Sequence, residues 1–163
     1  REVRAVADVV IDSSSLNIHQ LEKKVEDLFH TEGSSDLHFN VLSFGYKYGI
    51  PVDADLLLDC RFIPNPHWIP ELRPLTGLEP QVSQQVLQSE GVADFLKSYI
   101  QVIQKMIPGY LREGKKYVTI AIGCTGGKHR SVAVAEEIAR QLQSPSHDLE
   151  ISAHATHRDV GRE

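Results

Sequence analysis

The sequence predicts an open α/β fold: a single domain with a mostly parallel sheet and helices on both faces. Segments with strand character alternate along the chain with segments of helical periodicity, as in sheets built from βαβ units. Several strand candidates are continuous apolar runs, which is typical of strands covered on both faces. The chain has 163 residues, of which 41% are hydrophobic and 24% charged, so it is long enough to bury one core.

The first 36 residues form a predicted strand–helix unit. Residues 7–12 are a candidate strand, which three serines interrupt. Asn17 and Gln20 have the spacing of a helix N-cap and its partner, and apolar residues then recur at helical spacing as far as His30. We expect residues 1–36 to be a linker to a preceding domain and residues 37–163 to form the ligand-binding domain.

Two further strands are predicted in the first half of the domain. One covers residues 37–44, and the other covers residues 56–63, which are so apolar that a central place in the sheet is expected. Residues 64–77 follow and contain four prolines, which exclude a regular helix or strand. Their aromatic and apolar content favours an ordered, functional loop.

The second half begins with two predicted helices. One starts near Gln81, and the next follows Gly91 and is expected to stop at Pro108–Gly109. A strand and a helix together cover residues 116–142. The last candidate strand covers residues 149–155, and a frayed end is expected after it.

The loop at residues 123–131, Gly-Cys-Thr-Gly-Gly-Lys-His-Arg-Ser, is the main functional candidate. A glycine-rich turn between a strand and a helix directs backbone N–H groups and the positive end of a helix towards one point. The glycines could instead serve only the backbone geometry of a tight connection. However, Lys128, His129 and Arg130 oppose the dipole of the helix that they begin, and a bound anion would remove that conflict.

An enzymatic alternative uses the same loop. Cys124 and Arg130 are separated by five residues and Ser131 follows, which matches the spacing of cysteine-dependent phosphatases. There a thiolate attacks phosphorus, and a strand-to-helix turn favours the thiolate. Gly123 stands where those enzymes usually carry histidine, and no acid is clearly assigned to protonate the leaving group.

Other polar residues are expected beside this loop, because ligands of open α/β sheets bind beyond the carboxyl ends of the strands. Arg61 lies in an apolar stretch, so we expect either an ion pair with Asp59 or a contact with the ligand. The complete set of candidate ligand-binding residues is Lys47, Arg61, Asn65, His67, Arg73, Cys124, Thr125, Gly126, Gly127, Lys128, His129, Arg130 and Ser131.

The remaining composition excludes several classes of protein. His154 and His157, with Arg158 and Asp159, do not have the spacing of a strong zinc site, so no metal is predicted. The net charge of −5 argues against binding of nucleic acid through the overall field, although residues 110–131 carry five basic residues against one acidic residue. Two cysteines, no signal peptide and no membrane span indicate a cytoplasmic protein.

Four stretches together resemble a known family. Residues 41–49, 59–66, 72–77 and 123–131 look like the motifs of the RapZ/YvcJ family of RNase adapter and nucleotide-binding proteins, in the family's order. The resemblance extends from about Ala7 to Asp159. It singles out Lys47, Arg61, His67, Cys124, Thr125, Gly126, His129 and Arg130 as the ligand site.

The resemblance implies a function and a place in a longer protein. Full-length members carry an N-terminal P-loop NTPase domain, and no G-x-x-x-x-G-K-[ST] motif occurs here. This chain is therefore expected to be the C-terminal domain, with no cofactor of its own and with ATP or GTP bound by the other domain. Related enterobacterial members sense glucosamine-6-phosphate and present a small RNA to a ribonuclease. A phosphorylated metabolite, an RNA, a ribonuclease and further copies of the chain are the expected partners, and a membrane is not.

One departure from the family concerns RNA. Enterobacterial members end in a basic tail that helps to hold RNA, whereas residues 157–163 of this chain contain no such cluster. Because phosphate contacts dominate affinity for nucleic acid, RNA binding is expected to be poorly supported here.

Overall fold

A computed structural model describes residues 7–29, 37–143 and 150–162. Two short 3-10 turns, Tyr46–Tyr48 and Pro66–Trp68, occur at the carboxyl side of the sheet. In chain order the helices and strands are α1 (Ile18–Phe29), β1 (Leu37–Gly45), β2 (Leu56–Asp59), α2 (Pro80–Leu87), α3 (Val92–Arg112), β3 (Tyr117–Cys124), α4 (Arg130–Leu142) and β4 (Ile151–His157).

The four strands form one open sheet in the order β2-β3-β1-β4, and every neighbouring pair is parallel. The predicted α/β class is therefore confirmed. Gly45 pairs with Cys124, and Asp59 pairs with Gly123, so the first three strands end at the same level. This places the segments that follow them at one edge of the sheet, where ligands of such folds bind.

One face of the sheet carries the main core. Alternate residues of β1 and β3 point to this face and lose almost all exposure to solvent, and α2, α3 and α4 contribute the other side. The residues of the two strands are Leu37, Phe39, Val41, Val118, Ile120 and Ile122. Because α4 packs on β1, β3 and β4, its first turn is held at the carboxyl edge.

The predicted strand at residues 7–12 is wrong, since these residues form no strand. The Asp12 carboxylate instead accepts hydrogen bonds from the amide and hydroxyl of Ser14, and such local bonds compete with strand pairing. The predicted helix after it is confirmed as α1. Asn17 and Gln20 cap its start reciprocally, each side chain accepting the other residue's amide N–H at 2.9 Å.

The strand predicted at residues 56–63 is shorter than expected and lies at an edge of the sheet, not in its centre. It ends at Asp59, and the chain turns there, with the Ile63 amide donating to the Cys60 carbonyl at 3.2 Å. Leu57 is 45% exposed. The continuous apolar run had indicated burial on both faces of the strand. In the structure Leu56 and Leu58 face the core, whereas Leu57 does not.

The long helix α3 continues past Pro108, where a stop was predicted. A proline removes the hydrogen bond of its own nitrogen and its ring crowds the carbonyl four residues earlier. Ile107 before it and Leu111 after it both pack on the core, so tertiary contacts hold the helix through this position. The helix ends at Arg112, and Gly114 follows its C-cap with a φ of +71°, which suits glycine. The Gly114 and Lys115 amides donate back to Leu111 and Tyr110, which closes a Schellman motif.

No helix among residues 7–29, 37–143 and 150–162 is long and apolar enough to cross a membrane.

Candidate anion-binding site

We call residues 124–131 the anion loop. Two other segments of the chain hold the anion loop in place: one follows β1, and the other precedes α2. The Lys47 amide donates to the Thr125 carbonyl at 3.2 Å, and the Gly77 amide donates to the Lys128 carbonyl at 2.8 Å. A Cβ at position 77 would lie 2.2 Å from the His129 carbonyl oxygen, so only glycine allows this approach.

The Cys124 sulfur is buried and accepts hydrogen bonds from the anion loop. The Gly127 amide donates to it at 3.3 Å, and the Ser131 hydroxyl lies 3.1 Å away. A hydrogen bond from the Cys60 thiol lowers the pKa of Cys124 most, and the Ser131 hydroxyl and amide and the Gly127 amide add to this. Burial acts in the opposite direction, yet the pKa of Cys124 is lowered to about 4.

The second cysteine complements the first. Its hydrogen bond to Cys124 and its burial raise the pKa of the Cys60 thiol well above the usual range. Cys60 Sγ also lies 3.0 Å from the Gly123 carbonyl oxygen. The pKa values of the two thiols are thus shifted in opposite directions, and Cys124 is the more acidic of the pair.

Arg130 connects the anion loop to the segment after β2. Its side chain is buried, with the residue 5% exposed. Nη1 donates to the carbonyls of Arg61 and Ile63, both at 3.0 Å, and Nη2 donates to Thr125 Oγ1 at 3.2 Å. Nε is buried and has no partner within the described part of the chain. The guanidinium edge formed by Nε and Nη2 is the edge that recognises planar or tetrahedral oxyanions in pairs of bonds.

His129 precedes α4 and is also buried. Its Nε2 has no hydrogen-bond partner in the ranges that the structure covers. Burial lowers the pKa of His129 and outweighs the opposing backbone hydrogen bonds to Arg73 and Leu72, which favours the neutral ring. The exposed ring of His67 lies 6.3 Å from it between centroids. Unpaired buried donors or acceptors cost about 1–3 kcal/mol each, so a polar ligand that reached them would offset that cost.

The loop thus has a buried base and an exposed rim. Cys124, His129 and Arg130 form the base, while Lys47, His67, Arg73 and Thr125 form the rim. Arg73 is bound to this rim because its Nε donates to the His67 carbonyl at 3.0 Å.

The remaining predicted site residues shape the rim. Asn65 Oδ1 accepts the His67 amide at 3.3 Å and so begins the 3-10 turn that presents His67. Arg61 was expected to pair with Asp59 or to contact the ligand, and its side chain is 48% exposed. It makes the ion pair with Asp59, with Nη2 2.6 Å from Oδ2, and lies 4.0 Å over the Tyr46 ring. Only its backbone carbonyl reaches Arg130.

Asp159 was missed by the sequence prediction, which placed a frayed end after β4. Its side chain is fully buried. It accepts the Gly45 amide at 2.7 Å and forms ion pairs with Arg158 and Arg162, at 2.7 and 3.0 Å. This carboxylate fixes the end of β1 beside the anion loop. An Arg-Asp pair directly after the last strand, at the same sheet edge as the other motifs, was the available signal.

The two C-terminal histidines do not form a metal site. Within the described residues no cluster of three or more His, Cys, Asp or Glu side chains could hold a metal ion. His157 instead links Ser43 Oγ, 2.8 Å from Nδ1, to Glu136 Oε1, 2.9 Å from Nε2. Ser43 is completely buried, so this series of bonds fastens β1 and β4 to α4 and offers no accessible nucleophile.

Known proteins resemble this chain over most or all of its length. Residues 37–161, which include all four strands and the anion loop, match the RapZ C-terminal domain family. The chain belongs to that family. Among its relatives are nucleotide-binding proteins of Streptomyces griseus subsp. griseus (53% identical), Acidothermus cellulolyticus (52%) and Thermobifida fusca (52%). Each matches 100% of this chain, which covers 48%, 53% and 54% of the three relatives. This RapZ-type chain therefore spans about half the length of the curated relatives that it matches.

Proposed function

We propose that this RapZ-type domain is a regulatory sensor that binds a phosphorylated amino sugar resembling glucosamine-6-phosphate, or a nucleotide sugar. The observation that carries the proposal is the buried Arg130 guanidinium, whose Nε has no partner and whose Nη2 bonds Thr125 at the start of α4. A phosphate group supplies the oxygens that this edge of arginine prefers. The relatives' name, nucleotide-binding protein, supports a phosphorylated ligand in the family.

The exposed rim residues would contact the rest of the ligand. Lys47 and His67 are exposed on opposite supporting segments, so the two side chains would contact the sugar portion or an additional phosphate. Arg73 would reinforce the His67 side through its bond to the His67 carbonyl. The proposal places ligand binding in residues 37–163, ATP or GTP in another domain of a longer protein, and the whole in the cytoplasm.

Calorimetry with glucosamine-6-phosphate, glucosamine and inorganic phosphate tests the proposal. Arg130→Lys keeps the charge but removes the paired guanidinium edge, so affinity for both phosphorylated compounds should fall at least about tenfold. Arg140→Lys, in the same helix but exposed and paired with Glu137, is the matched control and should bind as the unmodified chain does. Equal affinity of all three proteins, with unchanged thermal unfolding, would reject the assignment.

A cysteine-dependent phosphatase is the second candidate. Its chemistry needs an acidic cysteine beside a hydroxyl and an arginine, and here the Cys124 sulfur, with a lowered pKa, lies 3.1 Å from the Ser131 hydroxyl in the loop that carries Arg130. A proton donor is the weak point. The nearby Asp59 is bound to Arg61, whose hydrogen bonds lower the pKa of Asp59 and keep it ionised. Hydrolysis of an aryl phosphate that disappears in Cys124→Ser would establish catalysis, and no turnover between about pH 5 and 8 would dismiss it.

The adapter role is the part of the proposal that concerns partners. In it, ligand occupancy would change how the domain contacts a ribonuclease or further copies of the chain, while a small RNA is the partner in enterobacterial relatives. The family relation supports this role, and the net charge of −5 argues that RNA contributes less than protein contacts do.

A further inference from the structure

The two cysteines of the chain lie side by side at the buried base of the anion loop. The pairing of β2 with β3 ends at Asp59 and Gly123, and Cys60 and Cys124 follow one residue later. The Cys60 amide continues the ladder, donating to the Gly123 carbonyl at 2.9 Å. Both side chains belong to the same core cluster, so they point to the same face.

This placement meets the geometric requirement for a disulfide. Neighbouring strands are separated by about 4.8 Å, within the Cα separations of about 4.4–6.8 Å that disulfides span. Each cysteine is also the largest influence on the pKa of the other, as expected for two side chains that lie side by side.

We propose that Cys124 and Cys60 are a peroxide-sensitive dithiol, in which Cys124 is oxidised first, Cys60 closes a disulfide, and the anion loop loses its ligand. The effect on the ligand rests on the proposed function, whereas disulfide formation does not. The pKa values of the two cysteines differ in the direction that this chemistry requires, since that of Cys124 is lowered and that of Cys60 is raised.

The reaction needs only a peroxide as oxidant. The Cys124 thiolate attacks one oxygen of hydrogen peroxide, the O–O bond breaks, and Cys124 becomes a sulfenic acid while hydroxide leaves. Cys60 then loses its proton and attacks the Cys124 sulfur, the S–O bond breaks, and water leaves with that proton. Two electrons pass from the two cysteines to the peroxide. A thiol reductant reverses the step.

The disulfide would disable the loop because the Cys124 sulfur organises it. That sulfur accepts the Gly127 amide at 3.3 Å and lies 3.1 Å from the Ser131 hydroxyl. Rotation towards Cys60 breaks both contacts, so the turn and the first residues of α4 lose their common acceptor. Loss of the negative charge alone would favour an anion, so weaker binding after oxidation reports the loss of geometry.

A bound anion should protect the pair. Cys124 is 3% exposed and lies under the loop, so an anion held by Arg130 and Thr125 would cover the approach to its sulfur. Inorganic phosphate at saturating concentration should therefore slow oxidation at least about tenfold, since it must leave before peroxide enters.

Intact mass measurement after hydrogen peroxide treatment tests the chemistry. The unmodified chain should lose the mass of two hydrogens, and dithiothreitol should restore them. Cys60→Ala should instead gain one oxygen that dimedone traps at Cys124, and Cys124→Ala should leave Cys60 unreacted. Gain of oxygen without loss of hydrogen in the unmodified chain, or equal reaction of both single variants, would overturn the proposal.

Calorimetry separates this proposal from the function of the loop. The oxidised chain should bind inorganic phosphate at least about tenfold more weakly than the reduced chain, as expected for losing a charge-assisted hydrogen bond. Unchanged affinity after complete disulfide formation would refute the proposed effect on the loop. A reduced chain that binds neither phosphate nor glucosamine-6-phosphate would refute the proposed function, while the mass measurement would still decide whether the disulfide forms.

Discussion

Asp159 illustrates how a single buried charge organises the site. Its carboxylate receives a backbone amide from Gly45 and two guanidinium groups from Arg158 and Arg162. A buried charge is tolerated only when it is paired and hydrogen-bonded. Removing its charge would leave Arg158 with only the Gly45 and Gly49 carbonyls as acceptors and would break the ion pair of Arg162.

Asp159→Asn should lower the free energy of unfolding by about 2 kcal/mol, because the buried Gly45 amide and the partly exposed Arg158 and Arg162 lose a charged acceptor. Urea unfolding measures the change. Asp59→Asn is the control: it also breaks an aspartate–arginine pair, but an exposed one, and should cost less than about 1 kcal/mol. A loss at position 159 no larger than at position 59 would mean that the C-terminal segment is not fastened as described.

Cys124 should make stability depend on pH. Its pKa is lowered in the folded chain, so the thiolate stabilises the fold fully above the unfolded pKa of about 8.5, and this contribution is lost as pH falls towards about 4. The raised pKa of Cys60 acts in the opposite direction only above about 8.5.

The difference in free energy of unfolding between the unmodified chain and Cys124→Ser should therefore grow from about pH 5 to 8, by at most about 1.4 kcal/mol per unit. Denaturant unfolding across that range measures it. Parallel pH profiles would show that Cys124 is not a thiolate in the fold.

At the scale of elements, the anion loop depends on the proline-rich segment packing against α4. The sequence predicted an ordered loop at residues 64–77, and the structure shows how it is ordered: Asn65 begins a turn, and Gly77 bonds Lys128. The turns of this segment could be predicted from the sequence because proline and glycine constrain the backbone locally. The close approach of Gly77 to His129 joins distant parts of the chain, so no local sequence pattern predicts it.

Gly77→Ala should destabilise the chain by about 1–3 kcal/mol, because its Cβ would meet the His129 carbonyl at 2.2 Å and the Ala133 amide at 2.6 Å. Gly126→Ala is the control for stability, since nothing lies within 4 Å of its Cβ. Thermal unfolding compares the two. Equal melting temperatures would contradict the close approach.

The end of α3 provides a prediction of opposite sign. Gly109 lies inside this helix, and its added Cβ would have only the Arg112 side chain at 4.0 Å. Gly109→Ala should therefore raise the free energy of unfolding by about 0.5–1 kcal/mol, because alanine loses less backbone entropy in a helix. Urea unfolding checks this, and a destabilised variant would place the helix end before Gly109, as the sequence alone had suggested.

At the scale of the whole molecule, a local basic region lies on an acidic protein. Residues 110–131 carry five basic residues and one acidic residue, whereas the net charge is −5. We expect small anions to bind and long polyanions to be repelled. Structured RNA at low salt should therefore show no mobility shift at concentrations that saturate the phosphate site, and a shift that weakens steeply with salt would contradict this.

The sequence alone determined the α/β class, α1, the helices near residues 81 and 92, the strand–turn–helix order around residues 123–131 and the family. These follow from periodicity, capping residues and short motifs, which act between near neighbours in the chain. The edge position of β2, the Cys60–Cys124 contact, and the burial of Asp159 came only from the folded chain. Each depends on which strands lie beside one another, and that choice is made by packing between segments distant in sequence.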